Sequence, residues 1–276
     1  MRVQRALLSG NRLHLQHGPI DLVIDVEGDR QAAFAAAETR LETVLSELMA
    51  EIELLRIADG QRPSGKIAQK MWRSIQEHNG FVTPMAAVAG AVSETILEAM
   101  RNASDLRRAY VNNGGDIALH LSGDATFNVA MAGVDGTGLG RITLSAQDKV
   151  RGIATSGQGG RSLSQGIADS VTVLASTASA ADVAATLIAN AVDLPNHPAV
   201  GRARANQIIE DSDLGERHVV IGVGDLSNSE ISSALERGAQ RAQEMQNHGL
   251  IQAASLHLRG QSKQIEMNNK KVLEHA

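Results

Sequence analysis

A chain of 276 residues with 43% hydrophobic content is long enough to bury a sizeable core, as one large domain or two small ones. The absence of cysteine excludes disulfides, thiolate-held zinc and a cysteine nucleophile. The 26 Lys+Arg and 31 Asp+Glu are interspersed, giving a net charge of −5, and aromatic residues make up only 2%; neither the basic footprint nor the stacking platform of a nucleic-acid binder is present.

At the N-terminus only Ala6-Leu7-Leu8 forms an apolar run, short of the roughly 7–15 residues of a signal-peptide core. No stretch approaches the ~18 apolar residues of a membrane span. The expectation is a soluble, cytoplasmic protein with neither nucleic acid nor membrane as partner.

Residues 12–26 read as two strands around Gly18-Pro19, the second with Ile20, Leu22, Ile24 and Val26 alternating against Asp21 and Asp25. His14 and His17 read either as strand-surface imidazoles or as metal ligands; no third ligand lies near them in sequence. A long helix follows, its buried stripe running Phe34, Ala37, Leu41, Val44, Leu48, Ile52, Leu55 at three-four spacing. Asp59 to Gly65 breaks it, and a second helix over 66–78 carries Trp72, as core or as a ligand-stacking ring. Thr83-Pro84 suits an N-cap with proline at the first helical position, opening a helix to about Met100 whose small residues Ala86, Ala87, Ala89, Gly90 and Ala91 leave room for another helix or a cofactor, the former being the simpler reading.

Strands are then expected over 108–112, 116–121, 126–132, 140–145, 152–156 and 170–175, joined by short glycine-bearing turns so that neighbours run antiparallel. A helix over 179–192, a turn-rich loop, a strand at 218–223, a helix over 229–247 and a strand over 249–258 complete the pattern. The fold class is α+β: one domain over 1–260, mostly antiparallel sheet flanked by helices, with a polar, frayed C-terminal tail at 261–276.

Three stretches carry the chemistry. Asn112-Asn113-Gly114-Gly115-Asp116 is the densest turn signal and reads as a hairpin, or as amides offered to a ligand. The bend Thr155-Ser156-Gly157 through Arg161 has glycines at 157, 159 and 160 that permit a nest of amides for an anion, with Arg161 as a positive fork. Asp182 and Thr186 stand four residues apart on one helix and present the hard oxygens that suit Mg²⁺. Ser179 to Asp182 equally spells a capping box, and spacing does not choose between the two. No Walker lysine motif and no Gly-x-Ser-x-Gly elbow occurs.

These segments resemble the ApbE superfamily, whose characterised members are Mg²⁺-dependent FAD:protein FMN transferases. Val111 to Asp116 is similar to its Val-Asn-Leu-Gly-Gly-Asp turn, Ala154 to Gly157 to its Ala-Thr-Ser-Gly bend, and Ser170 to Val173 with Ala181 to Thr186 to its Ser-Val-Thr-Val and Ala-Asp-Ala-x-x-Thr phrases. Over roughly residues 12–260 the chain resembles the UPF0280 branch, through Gly18 to Asp21, Phe81 to Ala91, Tyr110 to Ile117 and Ile188 to Pro195. The resemblance implies FAD and Mg²⁺ as cofactors, Asp182 and Thr186 with the Ala86 carbonyl as metal ligands, and Thr83, Asn112, Asn113, Gly114, Gly115, Asp116, Thr155, Ser156, Gly157 and Arg161 around the nucleotide. The implied partners are a flavin nucleotide or similar phosphate-bearing small molecule and a protein acceptor, with a homo-oligomer left open.

The departures bear on activity. Where the transferases have Asp-Leu-Ser-x-Ile-Ala-Lys-Gly-Tyr, this chain has Thr83 to Gly90, with Thr83 in place of the acid and Ala89 in place of the lysine. Their His-Ile-Ile-Asp-Pro segment is replaced by Ser164 to Asp169, without histidine, and the export signal and lipidated cysteine of secreted members are missing. Three readings follow: an FMN transferase, a flavin binder or carrier without catalysis, and a binder or enzyme of another phosphate-bearing metabolite.

Overall fold

The computed structural model describes residues 2–132, 138–160 and 162–267, with backbone only at 131–132 and 138–140. The strands are β1 (Gln4–Leu8), β2 (Arg12–His17), β3 (Ile20–Gly28), β4 (Leu106–Asn113), β5 (Asp116–Leu121), β6 (Thr126–Ala132), β7 (Gly138–Ser145), β8 (Gly152–Ser156), β9 (Ser170–Ala175), β10 (Val200–Arg204), β11 (His218–Val223), β12 (Ala253–Leu258) and β13 (Gln261–Ile265). The helices are α1 (Arg30–Ala50), α2 (Ile52–Leu55), α3 (Lys66–Ile75), α4 (Val88–Ala103), α5 (Ala178–Ala191), α6 (Ala205–Ile208) and α7 (Asn228–Asn247). The fold is α+β with antiparallel pairing in every ladder described below. Its contacts group into two compact units: residues to Asn128 with Thr143–Ala154 and Ala175–Val183, and Val129–Ile142 with Thr155–Leu174 and Ala184 onwards.

In the first unit β1 to β5 pair in chain order, and Gly152–Ile153 of β8 add to β5. The alternation read from residues 20–26 holds: Leu22 and Ile24 are fully buried while Asp21 and Asp25 are half-buried on the other face. α4 lies against β4, β5 and α1. The α1 stripe is also as read, with Phe34, Ala37, Leu41, Val44 and Leu48 all buried. The helix does not continue straight to Leu55. Glu51 leaves helical geometry (φ −124°) and turns its carboxylate to Ser64 N (2.6 Å) and Gly65 N (2.8 Å), so it serves the start of α3 instead.

His17 is buried rather than at the strand surface, and its Nδ1 bonds the Leu41 carbonyl at 3.1 Å. His14 is half-buried and pairs with Asp21 at 2.9 Å. Trp72 is half-buried and gives its indole N–H to the Gly60 carbonyl at 3.2 Å, fixing the loop behind α2.

Expected as part of one continuous meander, β6 and β7 form a separate two-stranded sheet. From Thr126 to Ala130 no β6 residue is buried, so over that stretch the strand joins no core despite the apolar alternation of Phe127 and Val129.

In the second unit β12 stands between β9 and β13, and α7 packs on β12 and β13. β13 corrects part of the expected tail: Gln261–Ile265 pair with Ala254–Leu258 through a turn at Arg259 and Gly260, both at positive φ (49° and 77°). Polar side chains hid the strand, because an edge strand with exposed faces needs no apolar alternation. Residues 268–276 lie outside the described residues. β10 and β11 form their own ladder, and β10 falls where the sequence suggested only a loop. Among the described residues no helix is long and apolar enough to cross a membrane.

Candidate functional site

The site is best built from α4. Its first N–H groups need acceptors, and the residue at its N-cap position, Ala87, has no side chain to offer. The 3-10 turn Pro84–Ala87 leads into it, with Thr83 buried at the turn's own N-cap and proline following as expected, although the Thr83 hydroxyl does not cap. The acceptor comes from α5. Asp182 Oδ2 takes the Gly90 N–H at 3.0 Å and its carboxylate also accepts from Ala89.

α5 is served in return by α4. Glu94 Oε1 accepts from Ser179 N at 2.7 Å and from Ser179 Oγ at 2.8 Å. Each helix start is therefore held by a carboxylate of the other, where the helix dipole favours negative charge. This corrects the capping-box reading of Ser179 to Asp182. The Ser179 hydroxyl goes to Glu94, the local cap is Thr177 Oγ1 on Ala180 N (3.2 Å), and Asp182 points away from its own helix start to α4.

Gly90 permits this approach. A Cβ there would stand 2.5 Å from the Ala178 carbonyl carbon and 2.7 Å from Ser179 N. The small residues that opened this helix in the sequence thus mark helix-on-helix contact.

The hairpin closes beside the same turn. Gly114 and Gly115 both have positive φ, 65° and 114°, as a mirror-image two-residue turn requires, and Asn113 pairs with Asp116. Asn112 Oδ1 accepts from Gly115 N at 2.8 Å and Asn113 Nδ2 donates to the Ala89 carbonyl at 3.3 Å. Those two side chains bond within the protein, as the hairpin reading has it. Ser93 Oγ donates to the Asp116 carbonyl at 2.8 Å, tying β5 to α4 as well.

Asp182 consequently sits among acids. Burial raises its pKa well above the ordinary carboxylate range, the Asp116 charge raises it further and Glu94 adds a smaller push, against the opposing pull of the Gly90 and Ala89 N–H groups. The carboxylate is closely enclosed, yet the residue retains accessible surface. Lys70 lies 3.8 Å from Glu94 and is also paired with Glu98.

This place fits a hard divalent cation in kind: a carboxylate held at high energy by burial and by a like charge gains most from one. Among the described residues no three His, Cys, Asp or Glu side chains are grouped to hold a metal. Carbonyl, hydroxyl, water or ligand oxygens would have to complete its coordination.

Thr186 lies one turn along α5 from Asp182 and belongs to the second unit, as does the Thr155 bend. There Gly157 is needed: its φ is +137° and a Cβ would meet the Asp169 carbonyl at 2.7 Å. The amides do not form an open nest, which corrects that expectation. Gln158 N donates to Ala168 O (2.8 Å), Gly159 N to Asp169 O (3.1 Å) and Gly160 N to Gly157 O (3.1 Å). Thr155 Oγ1 bonds Thr172 Oγ1 at 2.9 Å, and Arg161 lies outside the described residues. Glu94 and Lys70 were missed because neither stands in a motif; the only sequence signal was their place on amphipathic helices.

The family model described as AbpE bacteria matches residues 4–264. The chain belongs to that family. Within the AbpE family's span, a UPF0280 protein of Methanococcus maripaludis strain C7 is 42% identical over 116 residues, 41% of this chain and 46% of that protein. A UPF0280 protein of Methanopyrus kandleri is 34% identical over 158 residues, 56% of this chain and 62% of its own. The chain thus spans about half the length of the curated relatives it matches. A solved structure, the apo flavinyl transferase ApbE of Pseudomonas stutzeri, aligns over 96% of this chain and 95% of its own at 12% identity and a TM-score of 0.43.

Proposed function

We propose that this protein binds a flavin nucleotide, FAD, with Mg²⁺ held by Asp182 at the junction of α4 and α5. The observation that carries the reading is the Asp182 carboxylate itself, enclosed, made costly to ionise by burial and by Asp116, and fixed by two N–H groups of α4. Membership of the AbpE family and the likeness of Val111 to Asp116 and Ala181 to Thr186 to ApbE phrases support the choice of ligand.

In that arrangement the α4 N–H groups aim Asp182, Asn113 fixes the hairpin against α4 through the Ala89 carbonyl, and Glu94 holds the start of α5 rigid. A bound Mg²⁺ supplies charge neutralisation and polarisation of the diphosphate. The Ala86 carbonyl is the further oxygen assigned to it, and Thr83 and the Asn112–Asp116 turn are assigned to the nucleotide. In transfer, an acceptor hydroxyl of another protein displaces AMP from FAD, the hydroxyl proton passing to solvent or a base as the phosphodiester forms.

A second reading, binding without transfer, is favoured by Ala89, which offers no basic side chain, and by the absence of histidine from Ser164 to Asp169. Calorimetric titration with FAD, with and without Mg²⁺, tests the main reading on the wild type and on Asp182→Asn. Asparagine keeps an acceptor for Gly90 N but removes the charge. Mg²⁺-dependent FAD binding by the wild type and not by the variant is expected. Binding equal with and without Mg²⁺, or unchanged in the variant, refutes the metal role; thermal stabilisation by another phosphate compound but not by FAD refutes the flavin role. FAD recovered intact after incubation with acceptor peptides and Mg²⁺ selects the binder over the transferase.

A further inference from the structure

On β9, β12 and β13 of the second unit, one face carries a run of polar, uncharged side chains beside the buried Leu174 and Ala253. Register places Thr172 opposite Ser255, and Ser170 opposite His257, on neighbouring strands; Ser255 and His257 in turn stand opposite Gln264 and Ser262. Directly opposed side chains on antiparallel strands lie about 5 Å apart on the same face. The other face carries Val171, Val173 and Leu256, all fully buried. Thr155 joins the polar set through its 2.9 Å bond to Thr172, and Ser255 Oγ lies 2.8 Å from His257 Nε2.

The set is graded in exposure. Ser170 and Ser255 are buried, Thr172 and His257 half-buried, Thr155, Ser262 and Gln264 exposed. Burial lowers the His257 pKa and the Asp169 charge opposes that only in part, so the ring is neutral near pH 7. Asp169 is occupied elsewhere, its Oδ2 accepting from Arg259 N at 2.5 Å, so this is no Ser-His-Asp triad.

A row of neutral hydroxyls, a carboxamide and a neutral imidazole, each able to donate and to accept, matches a ligand whose own groups do both. An anion is disfavoured, because among the described residues no Lys or Arg stands in the row and Asp169 adds negative potential near it. We propose that this face binds an uncharged polyhydroxylated ligand, an open-chain polyol or sugar, with Thr155, Thr172 and His257 as its hydrogen-bonding edge and the buried Ser255 holding the His257 ring. The inference stands on the second unit alone and does not depend on the flavin reading.

The test uses the full chain with ¹⁵N-labelled histidine, following the ring resonances while ribitol is added, and separately ribose 5-phosphate. A saturable ribitol-dependent shift of the His257 ring, identified by its loss in His257→Gln, is expected. It should weaken at least about tenfold in Thr172→Val, which keeps the shape and removes the hydroxyl; ribose 5-phosphate should bind no better than ribitol. Circular dichroism checks the folding of each variant, and Thr155→Val, at an exposed position, repeats the measurement should Thr172→Val unfold. A His257 ring that shows no saturable shift, a shift unchanged in the folded valine variant, or preferential binding of the phosphorylated sugar overturns the proposal.

Discussion

Replacing Gly90 by alanine should separate the two helix starts. The new Cβ would lie 2.5 Å from the Ala178 carbonyl carbon and 2.7 Å from Ser179 N, with the Ala178 oxygen nearer still. All three are backbone atoms at the start of α5 and cannot rotate away. Overpacking of this kind costs about 3 kcal/mol at the upper end of its usual range. Helix propensity returns about 1 kcal/mol, since alanine is the better helix former. Relieving the overlap takes a shift of roughly 1 Å, which lengthens the 3.0 Å Gly90 N–Asp182 bond beyond useful range and forfeits about 1 kcal/mol for that hydrogen bond. The net expectation is a loss of about 3 kcal/mol, roughly a hundredfold in the folding constant. Urea unfolding followed by circular dichroism should show a lower midpoint at unchanged slope. A variant as stable as the wild type, or more stable by the propensity gain alone, refutes the account of α4 and α5 as helices locked start to start.

Glu94→Ala removes the acceptor of both Ser179 N and Ser179 Oγ, and should cost about 1–2 kcal/mol in the same assay; an unmoved midpoint would show that water serves α5 equally well. Glu230 is held at a pKa of about 2, chiefly by Ser227 with help from His197, against an ordinary 4.5. Its folded value is depressed, so its contribution is complete above about 4.5 and drains away as pH falls toward 2. The stability gap between wild type and Glu230→Gln should therefore narrow over that window, and a gap constant down to pH 2 contradicts the assignment. Gly166→Ala should be more damaging than Gly238→Ala: the first Cβ meets the Val192 carbonyl oxygen at 2.8 Å and the Ala189 carbonyl oxygen nearer still, the second meets the Val192 and Leu256 side chains, which can repack. Equal midpoints for the two would argue against that distinction.

What the sequence showed best was whatever its period determines locally. The alternation from Ile20 to Val26 and the three-four stripe from Phe34 to Leu48 each declare a buried face, and those faces are buried. Glycine was legible where a positive φ is needed within a turn, as at Gly114 and Gly115. It was ambiguous at 157 to 160, where the same residues that permit an anion nest instead let the chain pass close to the carbonyls of Ala168 and Asp169. β13 escaped notice because an exposed edge strand obeys no alternation, and β6 misled because its β-branched and aromatic residues declare a strand without saying which sheet it joins.

The junction of α4 and α5 was the least legible part, and for a definite reason. Asp182 reaches Gly90 across 92 residues and Glu94 reaches Ser179 across 85, so no local pattern can report either bond. A capping box is defined within four residues, and Ser179 to Asp182 satisfies it in spelling while its two side chains bond to α4 instead. The consequence reaches function. An aspartate aimed at its own helix start would be surface furniture, compensated by water; aimed at α4, it is enclosed and opposed by Asp116, so that its surroundings resist a charge there. Whatever neutralises that charge should also tighten the fold, because the same carboxylate holds the start of α4. Mg²⁺ added alone should therefore raise the unfolding temperature of the wild type and leave Asp182→Asn unmoved, and equal shifts in both proteins would place the cation somewhere other than Asp182.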